Sequence, residues 1–156
     1  MDFRRYWLAA LVAGATAAVA IVQPGLGASA AEQYVPQLGD IMNATQVRHQ
    51  KLFFAGRARN WQLAAYETRL LRGNLRDAAV LYSGIPITSV TTLAERLQAV
   101  DDAIEAKDAK RFAKAFGELT TGCNQCHQSL DRPYIVMKQP SDQPFGNQQF
   151  TPPGER

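Results

Sequence analysis

Cys123, Asn124, Gln125, Cys126 and His127 form a complete C-x-x-C-H that holds both cysteines and one of the two histidines of the chain. Positions three apart share a helix face, so both thiols can form thioethers with the two vinyl groups of one haem. The adjoining imidazole can then turn onto the iron as the proximal ligand. These residue types at this spacing predict one covalently bound haem c, with Cys123, Cys126 and His127 as its anchors.

Two other chemistries use paired cysteines. A redox C-x-x-C normally sits in a βαβ setting, and no strand–helix alternation is present. A structural zinc site wants four ligands from Cys and His; the chain has four such residues in all, with His49 remote from the others. The N-terminus favours haem. Arg4 and Arg5 precede the apolar run Trp7–Val22, which Pro24, Gly25 and Gly27 break before Ala28-Ser29-Ala30. That is the layout of a secretory signal peptide over residues 1–30. The competing reading is an uncleaved anchor, but the run is short for a membrane span, which needs about 20 residues. Export to the periplasm and the haem motif support each other, because c-type haem is attached outside the cytoplasm.

The remaining 31–156 is long enough for one domain with a modest core. It carries 15 Lys and Arg against 13 Asp and Glu, too weak a balance to argue for nucleic acid or an anionic membrane. Its pattern predicts four helices in residues 31–130. The first covers about Val35 to Arg57, with Leu38, Ile41, Met42, Thr45, His49 and Leu52 on one stripe. Asn60 caps the second, from Trp61 to about Ala79. Ser89 is the expected cap of the third, whose Val90, Leu93, Leu97, Val100 and Ile104 keep a bundle seam. Asp108 caps the fourth, which carries Phe112, Phe116, Leu119 and both cysteines and must end before Pro133. Mostly short connections make this an all-α, antiparallel up-down-up-down four-helix bundle. Trp61, Leu93, Phe112 and Phe116 are expected to pack the core. Asp101, Asp102 and Glu105 read as a solvated face.

A signal peptide, four helices and a C-x-x-C-H late in the last helix resemble the cytochrome c-prime superfamily. The resemblance spans roughly Val35 to Leu130, and its specific motif is Cys123-x-x-Cys126-His127. It implies a mono-haem bundle of one of two kinds: five-coordinate and gas-binding, or low-spin with a methionine as sixth ligand. That methionine comes from the early part of the first helix, where Met42 stands. Relatives with this fold are often homodimers. Residues 131–156 depart from the pattern. They hold five prolines and the stretch Tyr134-Ile135-Val136-Met137, and read as an extended C-terminal segment over the bundle or the haem edge, or as a disordered tail.

Met42, His49 and Met137 compete for the other side of the iron. Measured from the bundle end shared by the first and fourth helices, His127 lies about 28 Å along, Met42 about 22 Å and His49 about 12 Å. Met42 is therefore the expected sixth ligand and His49 the alternative. His49 sits in the polar run Arg48–Lys51 and reads as a solvated or rim histidine, a second haem ligand, or a polar group near the pocket. Met137 would have to wrap round the haem edge. With Met42 bound, the expected role is outer-sphere electron transfer with an unidentified periplasmic redox partner. With no side chain bound, the protein would take up NO or CO. Membrane contact after signal cleavage, nucleic-acid binding and enzymatic chemistry are not expected: no second metal cluster, Ser/His/Asp set or phosphate-binding glycine loop is present.

Overall fold

The computed structural model describes residues 34–154; the predicted signal peptide, residues 1–30, lies outside the described residues. Four helices follow in order: α1 (Leu38–Arg57), α2 (Trp61–Leu81), α3 (Ile87–Glu105) and α4 (Ala109–Ser129). No strand occurs among the described residues. Each helix packs on its neighbour in sequence, and α4 closes the ring against α1. The result is an antiparallel up-down-up-down four-helix bundle with an extended C-terminal tail.

Local sequence explains most of the helix ends. The Asn60 side chain accepts from the Leu63 amide at 3.1 Å, and Asp108 Oδ1 accepts from Lys110 and Arg111 at 2.9 and 3.0 Å. Both residues also finish the preceding helix: Asn60 N–H bonds to Ala55 O and Asp108 N–H to Ala103 O. The residue before each, Arg59 or Lys107, takes a positive φ of 56° or 51°. This is a Schellman closure in which one residue ends a helix and caps the next. Two tight helical hairpins, α1–α2 and α3–α4, result.

Two ends differ from expectation. α1 begins at Leu38, after Gln37, because Pro36 holds the preceding chain extended. α3 begins at Ile87 with Pro86 in the N-cap position and no side-chain cap. Ser89 therefore lies inside the helix, where its hydroxyl meets Ser129 Oγ at 3.3 Å.

The core is densest where α1 ends and α4 begins. Phe112 and Phe116 are buried there, and Trp61 packs edge-on against Phe112 with ring centroids 6.1 Å apart; Leu119 and Leu93 extend the buried core toward the other end. Gly56 lets α1 and α4 meet: a Cβ at this position would collide with carbons of the Phe112 ring. Phe112 is itself held by Trp61 and Phe116 and cannot move aside. Gly56→Ala is therefore expected to destabilise the fold by about 1–3 kcal/mol through overpacking, more than the ~1 kcal/mol of helix propensity it gains. Gly73, also helical, has open space around its missing Cβ, so Gly73→Ala should raise the urea midpoint while Gly56→Ala lowers it.

Ion pairs tie the walls together. Arg48 on α1 meets the buried Glu67 of α2 at 3.2 Å, and Arg72 on α2 meets Asp101 of α3. Asp101 is thus drawn out of the expected solvated face into a contact between helices. No described helix is long and apolar enough to cross a membrane.

Candidate functional site

At the end opposite the aromatic cluster the helices part around a cavity of about 440 Å³, within the ~300–1,000 Å³ usual for cofactor and ligand pockets. Met42, Thr45 and His49 of α1 form one wall, and Leu71, Leu75 and Ala78 of α2 line another. α3 adds Val90 and Leu93, α4 adds Cys123, Cys126 and His127, and the tail adds Arg132, Ile135 and Met137. The side chains marked by spacing in the sequence therefore face one space.

Cys123, Cys126 and His127 occupy the last two turns of α4. α3 presses close to this segment. A Cβ on Gly122 would collide with Arg96, whose guanidinium donates to Glu118 O at 2.6 Å and Gln125 Oε1 at 3.0 Å. Both cysteines are free thiols. Burial pushes Cys123 up to about 11, with Cys126 nearby adding to the effect. Burial likewise raises Cys126, against a bond from Ser89. Reactive C-x-x-C pairs draw their low pKa from positions such as a helix N-terminus. This pair lies at a C-terminal end, where the backbone dipole is negative, and is not poised for thiol–disulfide exchange.

His127 Nδ1 lies 2.9 Å from the carbonyl oxygen of Ile135. A carbonyl only accepts, so Nδ1 carries a proton, and in the neutral ring Nε2 is the nitrogen with the lone pair. The tail makes this contact by turning back after α4. Asp131 takes a positive φ of 56°, and Arg132 N–H bonds to His127 O at 2.8 Å. Asn124 then grips Met137 twice: Nδ2 donates to Met137 O at 2.9 Å, and Met137 N–H donates to Oδ1 at 2.7 Å. Farther on, the tail reaches the other end of the bundle, where Phe150 is buried against Phe54.

His49 is not at a solvated rim. It is 1 % exposed, at the cavity floor, because the α1 stripe turns this one member of the polar run inward. Its Nε2 lies 2.9 Å from Thr120 Oγ1, and Thr120 donates its hydroxyl to Phe116 O at 2.9 Å. With that hydrogen committed, Nε2 must be the donor and Nδ1 the bare nitrogen. Nδ1 is buried without a partner. The ring packs tilted by 37° against Phe116 at 4.4 Å between centroids, and burial lowers its pKa to about 4.

Contacts between α1 and α4 fix their register. Gly56 meets Phe112, Phe53 meets Phe116 and His49 meets Thr120. Two helical turns beyond His49, or about 10 Å, this antiparallel pairing sets Met42 level with Cys126 and His127. Met42 is half-buried and lines the cavity. Met137 also lines it, but its backbone is fastened to Asn124 on the helix that carries His127.

The residues present fit a haem c: two thiols on one helix face, an imidazole with Nε2 open, and an apolar space before them. They fit zinc poorly, since no three His, Cys, Asp or Glu side chains converge among the described residues. Four participants were not apparent from the sequence: Thr120, Asn124, the Ile135 carbonyl and Tyr82. The Tyr82 hydroxyl donates to Pro36 O at 2.8 Å, pinning the entry to α1. Backbone atoms and partners distant in sequence carry these contacts, and no spacing rule marks them. Compared with protein-family models, curated protein sequences and solved structures, the chain matches none.

Proposed function

We propose that this chain is an exported, periplasmic mono-haem c-type cytochrome that carries single electrons, akin to the low-spin members of the cytochrome c-prime superfamily. Cys123 and Cys126 would hold the haem through thioethers, His127 would be the fifth ligand and Met42 the sixth. One haem c held in this way supplies a one-electron couple. The observation that carries the reading is the meeting of both thiols, His127 and Met42 on one apolar cavity. The His127–Ile135 bond supports it by leaving Nε2 as the open nitrogen. A methionine sixth ligand gives a higher potential than a second histidine, and the apolar walls from α2 and α3 exclude water from the couple. The role needs no catalytic residue. An unidentified periplasmic redox protein would exchange the electron.

His49 serves this reading as a floor group. Its partner is Thr120 and its height is that of Thr120, about two turns from the level of Met42. The second reading is a five-coordinate protein that binds NO or CO. The apolar wall of Leu71, Leu75 and Ala78 around Met42 favours it, because Met42 can also act as part of that wall.

Haem staining on a denaturing gel tests attachment. The unmodified protein is expected to stain and Cys126→Ala to lose most of the stain; equal staining of the two would overturn thioether anchoring at Cys126. The absorption spectrum, oxidised, reduced, and reduced with CO, tests the role. Low-spin bands, a weak far-red methionine–iron band and no CO shift are expected. A high-spin spectrum that shifts at once with CO would establish the gas-binding reading instead.

A further inference from the structure

The C-terminal tail is a part of the site that the C-x-x-C-H motif does not call for. α4 places His127 in its last turn, but the acceptor for Nδ1–H comes from outside that helix, from the main chain of Ile135. Ile135 itself is 45 % exposed, so its side chain does little to hold the carbonyl in place. The fixing contact is two residues on, where Asn124 bonds both backbone atoms of Met137. Asn124 and His127 are three apart and share a face of α4. One helix face thus presents the imidazole and the amide that holds the strand of chain bonded to it.

We propose that Asn124 is a positioning residue for the fifth ligand: by clamping Met137 it keeps the Ile135 carbonyl on His127 Nδ1 and so sets the ring's orientation and donor strength. This rests on the haem reading of His127. A hydrogen bond from Nδ1–H to a carbonyl raises the electron donation of the other ring nitrogen and fixes which nitrogen is free. Stronger donation favours ferric over ferrous iron and lowers the potential. The tail is anchored on both sides of this contact. Arg132 N–H bonds to His127 O, and Phe145 and Phe150 pack together at 6.1 Å, with Phe150 against Phe54. Between those anchors, the Asn124 bracket holds the carbonyl in register. Alanine at 124 removes both bonds. Aspartate keeps an acceptor for the Met137 amide but loses the donor to its carbonyl.

The test uses the haem-loaded full-length protein, its N124A and N124D variants, redox potentiometry, and NMR exchange of the His127 ring Nδ1 proton. In the unmodified protein that proton should exchange slowly. N124A should speed its exchange and shift the ferric–ferrous equilibrium toward ferrous by on the order of tenfold, about 59 mV for one electron. N124D should fall between. An N124A protein that carries covalent haem with unchanged potential and equally slow exchange would overturn the proposal while leaving the haem reading intact. An unmodified protein that takes no covalent haem would overturn both. If N124A does not mature, exchange of the Met137 amide in the unmodified holoprotein decides: strong protection supports the clamp, and exchange at the rate of an open chain overturns it.

Discussion

On the proposed haem reading, exchange of Met42 for alanine is expected to convert a low-spin spectrum to a high-spin one that shifts with CO on mixing, with loss of the far-red band. The expected conversion is near complete, because neither other candidate can take the vacated side. His49 sits level with Thr120, to which its Nε2–H is donated. Bringing it to the height of Met42 would require a shift of about 10 Å along α1. Met137 is tied by both backbone atoms to Asn124, on the helix that carries His127. A double Met42→Ala, His49→Ala variant should therefore match the single one in spectrum. The substitution also removes a half-buried side chain, for a stability loss of about 1–2 kcal/mol, below the range for fully buried methionine. A low-spin spectrum unchanged in Met42→Ala would exclude methionine ligation at 42. A low-spin spectrum without the far-red band in that variant, lost in the double variant, would mean that His49 can move into place.

The order of heights behind this prediction follows from helix geometry alone: along antiparallel helices of known rise, Met42 lies nearer His127 than His49 does. The paired contacts Gly56–Phe112, Phe53–Phe116 and His49–Thr120 place Met42 in the same way. Asn60 and Asp108 were legible as caps because capping is a contact within three residues. Ser89 offered the same signal but lost to Pro86, whose fixed φ already suits a helix start. The polar neighbours of His49 suggested a rim position. Yet those neighbours lie half-buried along the flanks of α1, Arg48 reaching Glu67 and Lys51 the Phe145 ring, while the stripe Ile41, Thr45, His49, Leu52 faces in. Composition averages over a window, while a helix separates its faces residue by residue. The course of the tail was the least legible part. Its contacts at the site run through the Ile135 carbonyl and the Met137 amide and carbonyl, which any sequence would present. Their side-chain partners are His127 and Asn124, and Asn124 stands in one of the motif's unspecified positions.

Acidification should destabilise the protein through His49. Burial holds this imidazole neutral, with its pKa lowered to about 4 from 6.5. The unfolded chain therefore binds a proton at this residue between those values and the folded chain does not. Above pH 6.5 both states are neutral and the residue adds no pH dependence. As the pH falls from 6.5 toward 4, protonation favours the unfolded state, and stability drops by about 2–3 kcal/mol by pH 4.5. Below 4 the folded form is protonated too, and the loss levels off. The charged ring would need its Nδ1 proton accommodated where no partner is present, against the Phe116 ring and above Thr120. His49→Gln can keep a bond to Thr120 but does not titrate. The difference in urea unfolding free energy between pH 7.5 and 4.5 should therefore be about 2–3 kcal/mol smaller in this variant than in the unmodified protein. Carboxylates common to both proteins cancel in that comparison. An identical pH dependence in the two would assign the acid sensitivity to other groups and would mean that the His49 ring, charged or neutral, is equally at home on the cavity floor.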